Sequence, residues 1–337
     1  MSKISVIVPV YNVASYLDES ITSLIAQTWE DWEGLFVNDG STDASLEILK
    51  RYAQQDPRIR VIDQPNAGAG EARNRGLAEA KGKYVYFLDP DDWMEPDLLR
   101  DNLRLAVEHG LEMVTFRSRH IFPDGSIAAE REMTGEVFCY LGRDQLAHGL
   151  AKLHFEYELL YAVWNKLFLR EFLERNAIRF PHYRTGEDFM FNVQCYRKLT
   201  RLGFQNTLYY KQRMKRPGSL TTIHFEKIEN DRRPFLELWK FFEEINVARS
   251  LITKDKVSLR FVWLRNASDY ALSTGEGLKA FRVLLKKNGL NASPVTMGAF
   301  ISSLRGLPLR ARLRMLVRHF LGSFPYLLFL SRKVAII

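Results

Sequence analysis

The sequence predicts an α/β protein: a mixed, mostly parallel sheet with helices on both faces, joined to a helical C-terminal region. Three observations carry that expectation. Over the first 120 residues, short β-branched apolar runs alternate with amphipathic stretches, the rhythm of strand–helix units. Polar clusters follow four of those runs, where ligands gather in doubly wound sheets. From about residue 225 the composition is helical to the end.

Element by element, Ile4–Val10 (ISVIVPV) reads as the first strand and Tyr16–Thr28 as an amphipathic helix. Glu33–Asp39 is the second strand and Asp43–Gln55 the second helix, with Asp43 suited to its N-cap. Arg58–Gln64 and Gly70–Ala80 repeat the pattern. Lys83–Asp89 (KYVYFLD) precedes a helix opening near Pro96, a residue that fits a first helical turn. Leu111–Ser118 is a further strand and Phe122–Ser126 (FPDGS) a turn. Residues 144–200 read as largely helical, Leu159–Asn176 included. Thr207–Arg213 is β-like and Arg216–Thr222 a loop. A boundary near residue 225 divides the chain into 1–225 and 226–337.

With 337 residues, 46% of them hydrophobic and 26% charged, the chain can build a sizeable core. Cys139 and Cys195 are far apart and match no metal-ligand spacing, which suits a reducing compartment. The N-terminus has no signal-peptide pattern, and no run reaches the roughly 18 to 20 apolar residues that span a bilayer. A cytoplasmic location is expected. The formal net charge is +8, yet Gly277–Ile337 holds eleven Lys or Arg and no acid, so a mildly acidic body carries a basic tail.

Four strand exits carry the chemistry: VYN (Val10–Asn12), VNDGSTD (Val37–Asp43), NAGAGEARNRG (Asn66–Gly76) and LDPDD (Leu88–Asp92). Folding would bring all four to one sheet edge. The stretch GAGEAR has only two of the three glycines of a dinucleotide fingerprint and follows the third strand, which argues against a dehydrogenase. Asp89, Asp91 and Asp92 crowd one exit, and carboxylates that close repel unless water or a cation shares the site. Farther on, Glu187 and Asp188 open a helix in RTGEDFMFN. By themselves they are an ordinary helix start.

SVIVPVYN, VNDGSTD, the Asn66–Gly76 motif and FLDPDDW, in this order, resemble glycosyltransferase family 2, densely over residues 3 to about 120 and more sparsely to about 222. The resemblance implies a GT-A fold of Rossmann-like type, with 1–225 as the catalytic domain. Residues 1–120 would be its nucleotide-sugar half and 121–225 its acceptor half. It further implies an inverting transfer of a hexosyl or N-acetylhexosaminyl group, from a UDP-sugar to a glycan or lipid-linked acceptor of cell-surface polysaccharide synthesis. By the same likeness Pro9, Tyr11 and Asp39 hold the nucleotide base, and Arg73 serves the diphosphate region. Asp89 and Asp91 match the D-x-D metal motif, with Mn²⁺ or Mg²⁺ as cofactor and Asp89 also in reach of the ribose or sugar. The E-D pair supplies the general base, Asp188 first and Glu187 as the alternative. Trp164 and Lys166 of the W-N-K motif would frame the acceptor pocket, and Arg213 and Ser219 would contact donor phosphate.

Two other readings stay open at this point. A nucleotidyltransferase also uses aspartates and a metal, but VPVYNVASYL lacks the Gly-rich basic loop of that class. A non-catalytic nucleotide-sugar binding protein of a membrane assembly is the other, against which the full set of acids speaks. In the tail, Arg305, Arg310, Arg312, Arg314 and Arg318 interleave with apolar residues. That pattern suits peripheral contact with an anionic membrane face, the inner face of the plasma membrane in a cytoplasmic protein. Packing on the enzyme or an oligomer contact is the other use of such a tail, and a nucleic-acid partner is not expected.

Overall fold

The computed structural model describes residues 3–128, 137–155, 159–183, 186–214, 225–247 and 252. The expectations for Ser219 and for the basic tail lie outside them. The chain divides into two units, Met1–Ser219 and Leu220–Ile337.

In the first unit, β1 (Ile4–Val10), α1 (Ala14–Ile25), β2 (Trp32–Asp39), α2 (Ser45–Gln55), β3 (Ile59–Gln64), α3 (Ala69–Glu79) and β4 (Tyr84–Phe87) alternate as the apolar pattern predicts. Next come the two-residue β5 (Trp93–Met94), α4 (Leu98–Glu108), β6 (Met113–Ile121), β7 (Val137–Leu141) and α5 (Arg143–Phe155). The unit ends with β8 (Lys166–Leu169), α6 (Arg170–Arg175), α7 (Glu187–Lys198) and β9 (Arg201–Arg213). In the second unit, α8 (Phe225–Glu244) is helical with Pro234 inside it. No helix among the described residues is long and apolar enough to cross a membrane.

The sheet runs in the order β3-β2-β1-β4-β8-β6-β9-β5, with β7 paired to β9. Its first four strands are parallel, and β8 then enters antiparallel to both β4 and β6. Strand order turns back at β1, which has β2 on one side and β4 on the other. That is a topological switch point, and it opens a crevice outside the strands' carboxyl ends. Pairing of β1 with β4 stops at Ile7 and Phe87, while pairing with β2 continues to Val10 and Asn38. Pro9 sits beyond that stop, where β1 has lost one neighbour and a residue with no N–H to donate is tolerated.

Alternate residues of β1 explain the two layers. Ile4, Val6, Val8 and Val10 join Leu17, Ile21 and Leu24 of α1 in one core. On the other face Ile7 meets α3 at Gly76, where a Cβ would lie 2.4 Å from the Ile7 methyl Cγ2. The glycines of the Asn66–Gly76 motif thus serve close approach: at Gly70 a Cβ would sit 3.3 Å from the Pro181 carbonyl and 3.4 Å from Glu187 Cγ. A cluster of Phe87, Phe168, Phe180 and Phe191 locks β4, β8 and α7 together, with Phe180 stacked on Phe191 at 4.1 Å.

The expected helix over Leu159–Asn176 is not formed. Residues 159–165 are irregular, Lys166–Leu169 is the strand β8, and only Arg170–Arg175 is helical. The reason is tertiary: Lys166, Leu167 and Phe168 are buried between two strands, and pairing on both sides outweighs local helix preference. β9 likewise begins at Arg201, six residues before the expected strand, because β6 and β7 flank it.

The tight approach at Gly76 yields a stability prediction. Gly76→Ala forces a methyl into the Ile7 side chain and is expected to destabilise the protein by about 1–3 kcal/mol. The measurement is the urea midpoint at unchanged m-value.

Candidate active site

The β1 and β2 exits are sewn to one another by side chains. Asn12 takes a left-handed backbone (φ 50°), which asparagine tolerates, and its Oδ1 accepts from the N–H groups of Thr42 (2.7 Å) and Asp43 (3.3 Å). Asp43 was expected to cap its own helix, but the cap residue of α2 is Ala44, with no side-chain bond. Asp43 works across the gap instead: Oδ2 accepts the Ala14 N–H that opens α1, and Oδ1 accepts the Ser45 N–H. Burial alone would raise its carboxyl, yet the bonds from Ser45 and Ala14 outweigh it and hold Asp43 below its ordinary value.

Asp39 ends β2 and is buried. Its Oδ1 accepts from Gln64 Nε2 (2.7 Å) and the Ala67 N–H (2.8 Å), and its Oδ2 from the Gly68 N–H (2.8 Å). In this structure the acid thus organises the turn into α3, with Gly68 at φ 94°. An open depression of about 390 Å³ lies beside it, lined by Asn38, Gly40, Ser41, Leu46, Asp63, Gln64 and Pro65. Tyr11 projects from the β1 exit 49% exposed, so its ring is available to stack.

Beyond that turn stands the centre of the site. Arg73 of α3 is 5% exposed and donates to three carboxylates from two distant parts of the chain. One terminal nitrogen reaches Asp89 Oδ1 at 2.8 Å, at the end of β4. The other reaches Asp188 Oδ1 at 2.7 Å and Glu187 Oε1 at 3.3 Å, both in the first turn of α7. Gly186, at φ 79°, turns the chain into that helix. Burial would lower Arg73, but the attraction of Asp188, Asp89 and Glu187 holds it above its ordinary value, so it is a permanent cation.

One cation does not balance three acids in so dry a place. Burial pushes Asp188 up to about 8 although Arg73 pulls it down; Glu187 and Asp89 push it further, and Lys166 opposes them. Glu187 is raised for the same reasons, burial first. Asp188 keeps 24% of its side chain exposed, so a substrate can reach it. A raised carboxyl in a crevice is the signature of a group that exchanges protons near neutrality.

The third acid of LDPDD has a different duty. Asp92 is buried and accepts from Tyr210 OH (2.7 Å) and from the Arg213 N–H (2.7 Å), which ties the loop to β9. Burial first, then Asp91 and Asp89, raise it well above its ordinary value. The Arg213 guanidinium, expected at a donor phosphate, braces this loop here. It donates to the Asp91 carbonyl (3.1 Å), pairs with Glu19 and lies over the Trp93 ring.

The two acceptor-side candidates lie deeper than Asp188. Lys166 is fully buried, and its ammonium donates to the carbonyls of Leu159 and Ala162 and to Asn165 Oδ1. That leaves it no proton for an acceptor, because the apolar strand around it excludes one. Trp164 is 8% exposed, with its ring stacked on Tyr210 at 4.4 Å, which makes it mainly a core residue. Sequence reasoning missed Asn192 and the duty of Asp92. A polar residue four places after Asp188 on an otherwise apolar helix face was the available signal for Asn192.

The Asp188 geometry predicts a pH dependence of stability. Its ordinary value is 3.8 and its folded value about 8, so the folded chain binds more protons between those limits. Its contribution is therefore fully present below pH 4 and is lost as pH rises towards 8, with a slope of up to about 1.4 kcal/mol per pH unit. Urea unfolding from pH 5 to pH 8 should show this fall in the wild type and a flatter profile in Asp188→Asn.

A family model for glycosyl transferase family 2 matches residues 5–175 of the chain. Glycosyltransferase GlyA of Streptococcus pneumoniae serotype 4 is 34% identical over 236 residues, covering 67% of this chain; the match spans only 32% of that larger protein. Among solved structures, residues 1–349 of S. aureus TarS in complex with UDP-GlcNAc superpose with a TM-score of 0.62 at 21% identity, over 90% of this chain and 79% of that one. The mannosyltransferase PcManGT of Pyrobaculum calidifontis, with GDP-Man and Mn2+, gives 0.57 at 16% identity, over 94% and 87%. At these identities the structural likeness is one of fold, and that fold is GT-A. The ordered strand-exit motifs, the crevice at the switch point and the family match over more than half its length place this chain in glycosyltransferase family 2.

Proposed function

We propose that this glycosyltransferase is metal-dependent and inverting, and that it moves a hexosyl or N-acetylhexosaminyl group from a UDP-sugar. The observation that carries the reading is the Arg73 cluster. It brings the D-x-D acid Asp89 and the E-D pair, about a hundred residues apart in sequence, onto one guanidinium at the mouth of the crevice.

A displacement at an anomeric carbon needs a carboxylate opposite the leaving group to take the acceptor hydroxyl's proton. Asp188 has that character: it is reachable, raised by burial, and oriented by Arg73. Glu187 is less exposed and more loosely held, at 3.3 Å, which makes it the supporting acid. Tyr11 offers the base a ring face, and the depression beside Asp39 offers it polar edges.

The residues at the β4 exit fit a divalent cation. Their donors are carboxylate oxygens, which hard cations prefer, and Asp91 and Asp89 raise Asp92 by repulsion that a cation would relieve. Among the described residues no group of three or more His, Cys, Asp or Glu could hold an ion unaided. That agrees with a site of one or two carboxylates completed by diphosphate and water. Asp91 would be the direct ligand, with Asp89 sharing the ion or contacting the sugar. When bound, Mn²⁺ or Mg²⁺ would neutralise charge on the departing diphosphate.

The tail supports the acceptor class that the family likeness suggests, since its alternating arginines and apolar residues suit an anionic membrane surface. An enzyme held there would meet glycan or lipid-linked acceptors of cell-surface polysaccharide synthesis.

Hydrolysis of UDP-glucose, UDP-galactose, their N-acetyl forms and GDP-mannose, each with Mn²⁺ or Mg²⁺, tests the donor and metal assignments. Turnover of one UDP-sugar that disappears with EDTA is the expected result; equal rates with EDTA would remove the metal. Asp91→Asn and Asp188→Asn are each expected to lose about 10²–10⁴-fold in turnover. In the wild type, kcat/KM should fall about tenfold per pH unit below pH 8, since the base acts ionised.

A further inference from the structure

The loop Leu159–Asn165 has no regular structure, yet its backbone is held almost throughout by side chains. Lys166 Nζ donates to the Leu159 carbonyl at 3.0 Å and to that of Ala162. Asn192 Nδ2 donates to the carbonyls of Tyr161 and Ala162, both at 2.9 Å. Tyr196 OH takes the Leu160 carbonyl and Tyr86 OH that of Trp164, each at 2.8 Å. The Ala162 carbonyl is therefore shared by β8 and α7.

Asp188, Asn192 and Tyr196 stand four residues apart along α7, so they lie on one face of the helix that begins with the base. The helix is bolted to the loop along that face, and the loop is bolted to the sheet by Lys166. Neither bolt is a cheap choice for stability. Lys166 is a wholly buried amine, and burial lowers it to about 7. Asn192 is wholly buried too, with its Oδ1 lacking a hydrogen-bond partner. Apolar side chains would fill both places without those penalties, so the polar atoms are kept for what they hold.

The geometry points to Lys166 and Asn192 as positioning residues: through the shared Ala162 carbonyl they fix the first turn of α7, and with it the Asp188 carboxylate, against Arg73. This rests on Asp188 being the base. The charged groups around Asp188 are Arg73 from α3, Asp89 from the β4 exit, Glu187 beside it and Lys166 from β8. Lys166 in turn faces Cys195 of α7.

The test uses the full chain with Lys166→Met, Lys166→Gln, Asn192→Leu and the double variant Lys166→Met/Asn192→Leu, each checked for native circular dichroism. Two readouts decide it. The first needs no substrate: in chain labelled with ¹³C-aspartate, the carboxyl resonance absent from Asp188→Asn is titrated. Its midpoint is expected to move by at least one pH unit in Asn192→Leu, which removes no charge, whereas in Lys166→Met the loss of the nearby cation would raise it by itself. The second is hydrolysis of the nucleotide sugar turned over fastest in the panel above. We expect kcat to fall at least tenfold with donor KM within twofold, Lys166→Gln to recover part of the loss through its remaining N–H donors, and the double variant to lose little more than either single one. Folded variants whose midpoint and kcat match the wild type, beside an inactive Asp188→Asn, would overturn the inference and leave the base intact. An active Asp188→Asn would remove the base, while a shifted midpoint in Asn192→Leu would still support the positioning. Should Lys166→Met fail to fold, Asn192→Leu decides the same question from the helix side.

Discussion

The site depends on one buried guanidinium. Arg73 sits among three carboxylates that could not share so dry a space without it, and each comes from an element whose position the others help to set. α3 delivers the cation, the β4 exit one acid, and the first turn of α7 two more. An ion cluster of this kind is a poor way to gain stability, because desolvating the guanidinium and its acids offsets most of the attraction. It does impose a register. The segment that carries α7 cannot slide along α3 and the β4 exit without stranding a charge. The glycines of the α3 motif allow the approach that makes the cluster possible, Gly70 towards the Pro181–Glu187 segment and Gly76 towards β1.

The arrangement also explains how one short stretch can hold acids of such different character. In LDPDD, Asp89 faces Arg73, while Asp92 turns inward to Tyr210 and to the backbone of Arg213. Asp91 lies between them, its carbonyl taken by Arg213. Asp92 thus holds β5 and β9 together around the loop, and the cation expected there would meet a loop already shaped by its neighbours. The same division of labour appears across the crevice, where Asp39 and Asp43 hold turns and leave the exposed Tyr11 ring open.

The parallel half was legible because its signals are local. β-branched runs, amphipathic helices and polar exits each reflect burial patterns a few residues long, and the observed elements match them over Ile4–Phe87. The E-D pair and Asp89 were legible as motifs, and the structure brings both to Arg73. Position 166 was not. An amine inside an apolar run reads as a helix's solvent face or as a ligand contact, and only the strands on either side reveal a buried clamp. Asp43 misled for a related reason. Its neighbours in sequence suggested the cap of its own helix, and the fold also gave it the Ala14 N–H from across a gap.

β8 fills a place in the sheet that no earlier segment can occupy. β4 leaves the chain at Phe87 and β6 at Ile121, yet the strand that joins them is Lys166–Leu169. During synthesis, both open edges must wait for a four-residue segment made some 45 residues after the second of them. Long-range closure of this kind slows folding and leaves unpaired strands exposed to other chains. A ribosome stalled short of residue 169 would carry an open β4 rim and a β6 bare on both sides, with no wedge to seal them.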